Sequence, residues 1–169
     1  MQEKLRRIKV LAMDVDGVLT DGKIIMDSNG NETKNFDVQD GMRIFLARKA
    51  GLKTALISAR ESGVVKYRAA DLQIDKFFTG AYPKTACYEQ MLKEFGVTDQ
   101  DVCFVGDDLA DLVILKRVGL AIAVANAVAE IKQAAHYVTR ARGGEGAVME
   151  VVEMILKAQG KWGPELYEY

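Results

Sequence analysis

Hydrophobic residues in this chain come in short bursts, and several of those bursts stop at an acid, a glycine or a small hydroxyl. Val10, Leu11, Ala12 and Met13 form the first, which ends abruptly at Asp14. An apolar run of this length without a helical stripe reads as a parallel strand buried on both faces. The same pattern predicts strands at residues 52–57, 77–79, 102–105 and 120–124, with a shorter one at 137–138. Between them the apolar positions fall three or four apart, as at Met42, Phe45, Leu46 and Ala50, the spacing of a helix with one buried face. Helices are expected over residues 40–50, 62–72, 83–95, 109–118, 127–135 and 146–158, with Asp40 capping the first and Gly51 stopping it.

Three stretches break the alternation. Residues 1–9 are expected to run directly into the first strand. Residues 23–35, K-I-I-M-D-S-N-G-N-E-T-K-N, offer two extended arms around Asn29-Gly30, a hairpin signal. Residues 160–169 carry Trp162, Tyr167 and Tyr169 but no periodicity. Strands alternating with helices predict an α/β fold, a doubly wound parallel sheet with right-handed crossovers, with residues 1–169 as one domain. In such a sheet ligands bind beyond the carboxyl ends of the strands.

The unusual polar residues fall there. Strand one ends in Asp14 and Asp16, strand two in Ser58, and strand four in Asp107 and Asp108, with Asp111 in the next turn. Asp14 and Asp16 are two positions apart and share a side in extended backbone, and Gly17 lets the chain turn closely around them. Like charges so placed require a cation or a proton between them. An all-oxygen donor set suits a hard cation such as Mg2+, with Asp14 and Asp107 as direct ligands. The Ser58 hydroxyl and the N–H groups of the following helix start suit a phosphate, and Lys84 adds a compact positive charge. A carboxylate beside such a phosphate can attack phosphorus, and a second can protonate the leaving oxygen and then activate water. Asp14 and Asp16 fit those roles.

Composition narrows the alternatives. The 169 residues are 49% hydrophobic and 28% charged, with a net charge of -1, which disfavours a nucleic-acid surface or a polybasic membrane patch. No apolar stretch approaches the roughly 20 residues of a membrane span, and the N-terminus leaves no room for a secretory signal. Cys87 and Cys103 read as reduced thiols of a cytoplasmic protein, and a single histidine, His136, leaves too few nitrogen and sulfur ligands for zinc. A response-regulator receiver also uses acids, Mg2+, a hydroxyl and a lysine, but its acceptor Asp ends strand three, where this chain has Thr79-Gly80. A non-catalytic sugar-phosphate binder on the same fold would lack a nucleophile or an acid/base, and neither Asp14 nor Asp16 is missing.

The D14-V-D-G-V-L-T-D segment, Ser58, Lys84 and the G106-D-D-L-A-D111 block together resemble the four motifs of the haloacid dehalogenase superfamily. That resemblance implies Asp14 as nucleophile, Asp16 as acid/base, Ser58 and Lys84 on the phosphate, and Mg2+ held by Asp14, the Asp16 backbone carbonyl and Asp107. There is room for no cap domain beyond the hairpin. The hairpin, the F36-D-V-Q-D-G41 segment, Ser58-Ala59-Arg60 and the G143-G-E-G-A-V148 run are similar to the 3-deoxy-D-manno-octulosonate 8-phosphate (KDO 8-phosphate) phosphatase family. This chain departs from that family's pattern at two positions, with Ala59 where glycine is common and Met149 where arginine is common. The similarity implies a phosphorylated sugar acid as substrate, in lipopolysaccharide synthesis, with a related nine-carbon 9-phosphate as the enzymatic rival. It implies that Asp37, Val38, Gln39, Asp40, Gly41, Arg60, Arg68 and Lys84 line the site, and that tetramers form in which hairpins complete neighbouring sites.

Overall fold

The computed structural model describes residues 1–168. Its strands are β1 (Val10–Met13), β2 (Ile25–Met26), β3 (Glu32–Thr33), β4 (Lys53–Ile57), β5 (Lys76–Phe78), β6 (Val102–Gly106), β7 (Leu120–Ala123) and β8 (Tyr137–Val138). Its helices are α1 (Gln2–Arg7), α2 (Val38–Lys49), α3 (Gly63–Asp71), α4 (Thr85–Phe95), α5 (Leu112–Leu115), α6 (Ala129–Ala134), α7 (Ala147–Ala158) and α8 (Pro164–Tyr167). Six strands pair in parallel in the order β5–β4–β1–β6–β7–β8, while β2 and β3 form a separate antiparallel hairpin. From β1 the chain steps outward to β4 and β5, then crosses to β6 and continues to β7 and β8. Right-handed crossovers in these two directions put α2 and α3 on one face of the sheet and α4, α5 and α6 on the other. α7 packs against α2, with α1 against α7 and α8 against α2.

The doubly wound α/β architecture anticipated from the alternation is therefore present. All four residues of β1 are fully buried, as a strand paired on both edges and covered on both faces must be. Met13 pairs with Leu56 on one side and Val105 on the other, so the residues that follow leave the sheet together. This is the point where strand order reverses, and it sets Asp14, Ser58 and Asp107 around one crevice.

Several local expectations need correction. Residues 2–7 form a helix rather than a lead-in, because Leu5 and Ile8, three apart, are both buried. The cap of α2 is Asp37, not Asp40: the Asp37 carboxylate accepts from the N–H groups of Gln39 at 2.6 Å and Asp40 at 2.9 Å, so the helix begins earlier. The helix expected over 109–118 is a 3-10 turn at Leu109–Asp111 followed by only four α-helical residues. The reciprocal bonds between Asp108 and Asp111 tighten that turn. The tail carries α8, with Leu166 buried and the Trp162 and Tyr167 rings packed edge to face at 5.5 Å. Tyr169, read together with them, lies outside the described residues.

Candidate active site

The crevice beyond β1 is a cavity of about 230 Å³ lined by Asp14, Asp16, Ser58, Arg60, Lys84 and Asp107, with Gly22, Ala59, Asp108, Ala110 and Asp111 completing its wall. Lys84, the residue just before α4, is 1% exposed and reaches under the cavity floor. Its ammonium donates to Asp14 Oδ1 at 2.7 Å and to Asp111 Oδ1 at 2.6 Å and lies 5.9 Å from the centre of the Phe104 ring. Burial alone would pull the Lys84 ammonium down, yet the two carboxylates outweigh it and leave it above its ordinary value.

Asp111 is spent locally. Its second oxygen accepts the N–H groups of Asp107 at 2.9 Å and Asp108 at 3.4 Å, so it holds both Lys84 and the turn that carries Asp107. Asp108 is spent too, capping that turn through the Leu109 N–H at 2.7 Å. Asp107 is different. Its Oδ1 is buried with no hydrogen-bond partner, and burial together with Asp14, Asp111 and Asp108 pushes the carboxyl up to about 8. Asp14 is raised to about 6, burial being the main cause, with Lys84 working against it.

Carboxylate oxygens of Asp14, Asp107 and Asp111 all lie within 4.8 Å of one another, faced by one buried ammonium. Three negative charges against one positive, with an orphaned buried oxygen among them, fit a divalent cation with hard oxygen ligands. Because both Asp111 oxygens are committed, Asp14 and Asp107 are the carboxylates free to bind it.

The loop between β1 and β2 is held tightly. Gly17 has φ +91°, and a Cβ there would stand 2.0 Å from Asp107 Oδ2. The Thr20 hydroxyl accepts the N–H of Gly17 and of Gly22, each at 3.2 Å. From the far end of the chain, Gly144 N–H donates to Val18 O at 2.9 Å, and a Cβ on Gly143 would meet Gly17 O at 1.7 Å. Asn126 bridges the two loops, accepting from Gly143 N–H at 2.7 Å and donating to Gly17 O at 3.4 Å. The glycine-rich run is thus a buttress for the acid-bearing loop, and Asn126 is a supporting residue that no local pattern announced.

The hairpin supplies two further residues that sequence reading missed. The Lys34 ammonium is buried against Asp16 Oδ1 and lies 3.2 Å from Glu32 Oε1. Arg60 reaches the same pair, 3.7 Å from Asp16 Oδ2 and 3.1 Å from Glu32 Oε1. Glu32 also accepts from the Ser62 hydroxyl, and that bond, with Lys34 and Arg60 beside it, holds its carboxyl below the ordinary range. The only early signal was the alternation of Glu32 and Lys34 on one side of an extended arm.

The segment 37–41 and Arg68 do not line the cavity. Asp40 is 1% exposed and accepts the Met149 N–H at 2.7 Å at the start of α7. Arg68 lies over the Phe36 ring at 5.3 Å and donates to Asp37 O at 3.4 Å. Val38 is widely exposed, as is the apolar hairpin arm, with Ile24 at 60%, Ile25 at 40% and Met26 at 59%. β5 leads into Thr79-Gly80 and so offers no acceptor acid of the receiver kind.

Comparison with known proteins agrees with this geometry. Residues 77–152 match the family model described as haloacid dehalogenase-like hydrolase. Over 162 residues the chain is 43% identical to the 3-deoxy-D-manno-octulosonate 8-phosphate phosphatase KdsC of Haemophilus influenzae, covering 95% of this chain and 89% of the relative. It is 41% identical to the Escherichia coli K12 protein of the same name, over 94% of this chain and 84% of that one. The Moraxella catarrhalis phosphatase, crystallised with a magnesium ion, a phosphate ion and KDO, superposes with a TM-score of 0.92 at 40% identity, covering 94% of this chain and 91% of that one. The cobalt-bound H. influenzae phosphatase gives 0.89 at 42% identity, with 94% and 92% covered. A chain whose sheet gathers Asp14, Ser58 and Asp107 from the ends of three strands, with Lys84 from the start of a helix, around one crevice, and that is this similar to those enzymes, belongs to the haloacid dehalogenase-like hydrolases and, within them, to the family of the KDO 8-phosphate phosphatases.

Proposed function

We propose that this protein is a Mg2+-dependent phosphomonoesterase that hydrolyses KDO 8-phosphate to KDO and phosphate, in the cytoplasm, on the route to lipopolysaccharide. The observation that carries the reading is the excess of negative charge around Asp14, Asp107 and Asp111, which one buried lysine does not neutralise. The relatives named for this activity add the substrate. The metal would be held by Asp14, Asp107 and the backbone carbonyl of Asp16, and when bound it supplies positive charge to the phosphoryl oxygens.

The rest of the chemistry belongs to the chain. A carboxylate oxygen of Asp14 attacks phosphorus, the bond from phosphorus to the sugar oxygen breaks, and Asp16 delivers a proton to that oxygen. Water then attacks the aspartyl phosphate while Asp16 takes its proton, releasing phosphate and restoring Asp14. Ser58 and the N–H groups around Ala59 hold phosphoryl oxygens, and Lys84 offsets the charge of Asp14 as phosphate approaches. Arg60 has the planar fork that suits the carboxylate of the sugar acid.

The assembled form we propose is a homotetramer. The exposed apolar arm at Ile24–Met26 favours cover by another subunit, since a two-stranded hairpin is marginal alone in water. Asp37, Val38, Gln39 and Arg68 then reach the sugar from around the completed site, while Asp40 and Gly41 fix the turn that presents them.

The deciding experiment is phosphate release from a panel of sugar-acid phosphates with Mg2+ present. Preference for the eight-carbon 8-phosphate is expected. A nine-carbon 9-phosphate turned over at least ~10-fold faster, a difference of about 1.4 kcal/mol, would overturn the assignment in favour of that rival.

A further inference from the structure

Asp16 is tied into a ring of four charges that spans the hairpin and the segment after β4. Lys34 and Arg60 both face Asp16, both lie against Glu32, and Glu32 is fixed by Ser62 at the start of α3. Two acids and two cations balance. The Lys34 side chain is 1% exposed, an unusual location for an ammonium, and it contacts Asp16 and Glu32 instead of solvent. It lies outside the ammonium–carboxylate group of Lys84, Asp14 and Asp111, which leaves it a separate task.

We propose that Lys34 is the positioning residue for Asp16, and that Glu32 is the anchor that keeps Lys34 and Arg60 in place. This rests on the reading of Asp16 as the group that protonates the leaving oxygen. An aspartate on a glycine-flanked turn has several rotamers, and a proton must be delivered to one oxygen at hydrogen-bond distance. The buried Lys34 ammonium bonded to Oδ1 is the hydrogen bond that orients the carboxyl, and the Arg60 guanidinium, 3.7 Å from Oδ2, adds a charge on the other side. Because Lys34 follows β3 directly, the orientation of Asp16 depends on the hairpin being seated. The hairpin is therefore part of the catalytic apparatus of its own chain as well as an exposed apolar arm.

The test compares kcat/KM on two simple esters, p-nitrophenyl phosphate and glycerol 3-phosphate, for the full-length enzyme with Mg2+. kcat/KM reports events up to transfer of the phosphoryl group to Asp14, and a nitrophenolate leaves without needing a proton while an alkoxide does not. Lys34→Met should lower kcat/KM on the alkyl ester by ~10²-fold and on the aryl ester by less than about 3-fold. Lys34→Arg should restore most of the loss, and Glu32→Gln should show a smaller loss of the same selectivity. In an Asp16→Asn background, Lys34→Met should change alkyl-ester turnover by less than about 2-fold, because the two residues act as one unit. Equal losses on both esters, or a full additional loss without Asp16, would overturn the proposal. If Lys34→Met does not fold, the arginine and Glu32→Gln variants carry the same comparison. Neither ester is a sugar acid, so a failure of the KDO 8-phosphate reading would appear in the substrate panel and leave this result standing.

Discussion

Replacing Asp40 with asparagine should change how the stability of this protein responds to pH. Asp40 is buried between α2 and α7, where its Oδ1 accepts the Met149 N–H and its Oδ2 has no partner. Burial is the main cause that raises its carboxyl from 3.8 to about 6, and bonds from the first backbone N–H groups of α7 oppose it. A carboxyl whose pKa is higher folded than unfolded binds its proton more tightly in the native state. The stability this contributes is complete below the unfolded value and is lost as pH rises through the folded one. About two units correspond to ~3 kcal/mol, lost between roughly pH 4 and 6. Asparagine keeps the acceptor oxygen and the volume but does not titrate. Urea unfolding with chelator present, from about pH 4 to 7.5, should show the stability of Asp40→Asn relative to wild type rising by ~3 kcal/mol, about 6–12 °C in Tm. Asp14 and Asp107 titrate in both proteins and cancel in the difference. A flat difference, or one that turns against asparagine as pH rises, would refute the reasoning, the second by showing that an ionised carboxylate is worth more to the α7 start than its burial costs.

Other outcomes follow from the site. Asp14→Asn should abolish turnover, and activity within about tenfold of wild type, ~1.4 kcal/mol, would remove it as nucleophile. Chelation should silence the enzyme and Mg2+ revive it, while Asp107→Ala should weaken Mg2+ affinity measured by calorimetry; full activity in metal-free protein would leave the acid cluster unexplained. Gly143→Ala forces a Cβ to 1.7 Å from Gly17 O, so the acid-bearing loop must shift, and kcat should fall by ~10²-fold or more; near-normal turnover would show that the buttress is dispensable. Ile24→Asp with Ile25→Asp should dissociate the proposed tetramer in sedimentation, with a fall in kcat/KM; a wild-type monomer would end that reading.

What the sequence disclosed and what it hid divide along the range of the interactions. The end of β1 was legible because a fully apolar run meeting Asp14 has one economical reading, and the order of Ser58, Lys84 and Asp107 then followed the sheet. Lys34 was not legible, since on the polar arm of a short hairpin an ammonium reads as a solvated charge until the fold brings Asp16 to it. Asn126 is silent for the same reason, and the Gly143 run, though conspicuous, gave no hint of its contact, because both partners lie more than a hundred positions earlier in the chain. Asp40 looked like the cap of α2 because its engagement by the start of α7, which leaves that task to Asp37, comes from residues more than a hundred positions away.

The bracing of the first loop by the last quarter of the chain also sets the order in which this enzyme comes to exist. β1 is made before the rest of its sheet, yet one neighbour, β6, lies about ninety residues later, and Gly17–Val18 wait for Gly143 and Gly144. Contacts so distant in sequence close slowly, because loop-closure entropy must be met before they stabilise anything. On the ribosome Asp14, the proposed nucleophile, is therefore present long before its surroundings are. A chain released before residue 143 holds every acid of the cluster but lacks the clasp on Gly17. Turnover should consequently return late in refolding, after helical signal, and serve as a report on the docking of Gly143 and Gly144 against the first loop.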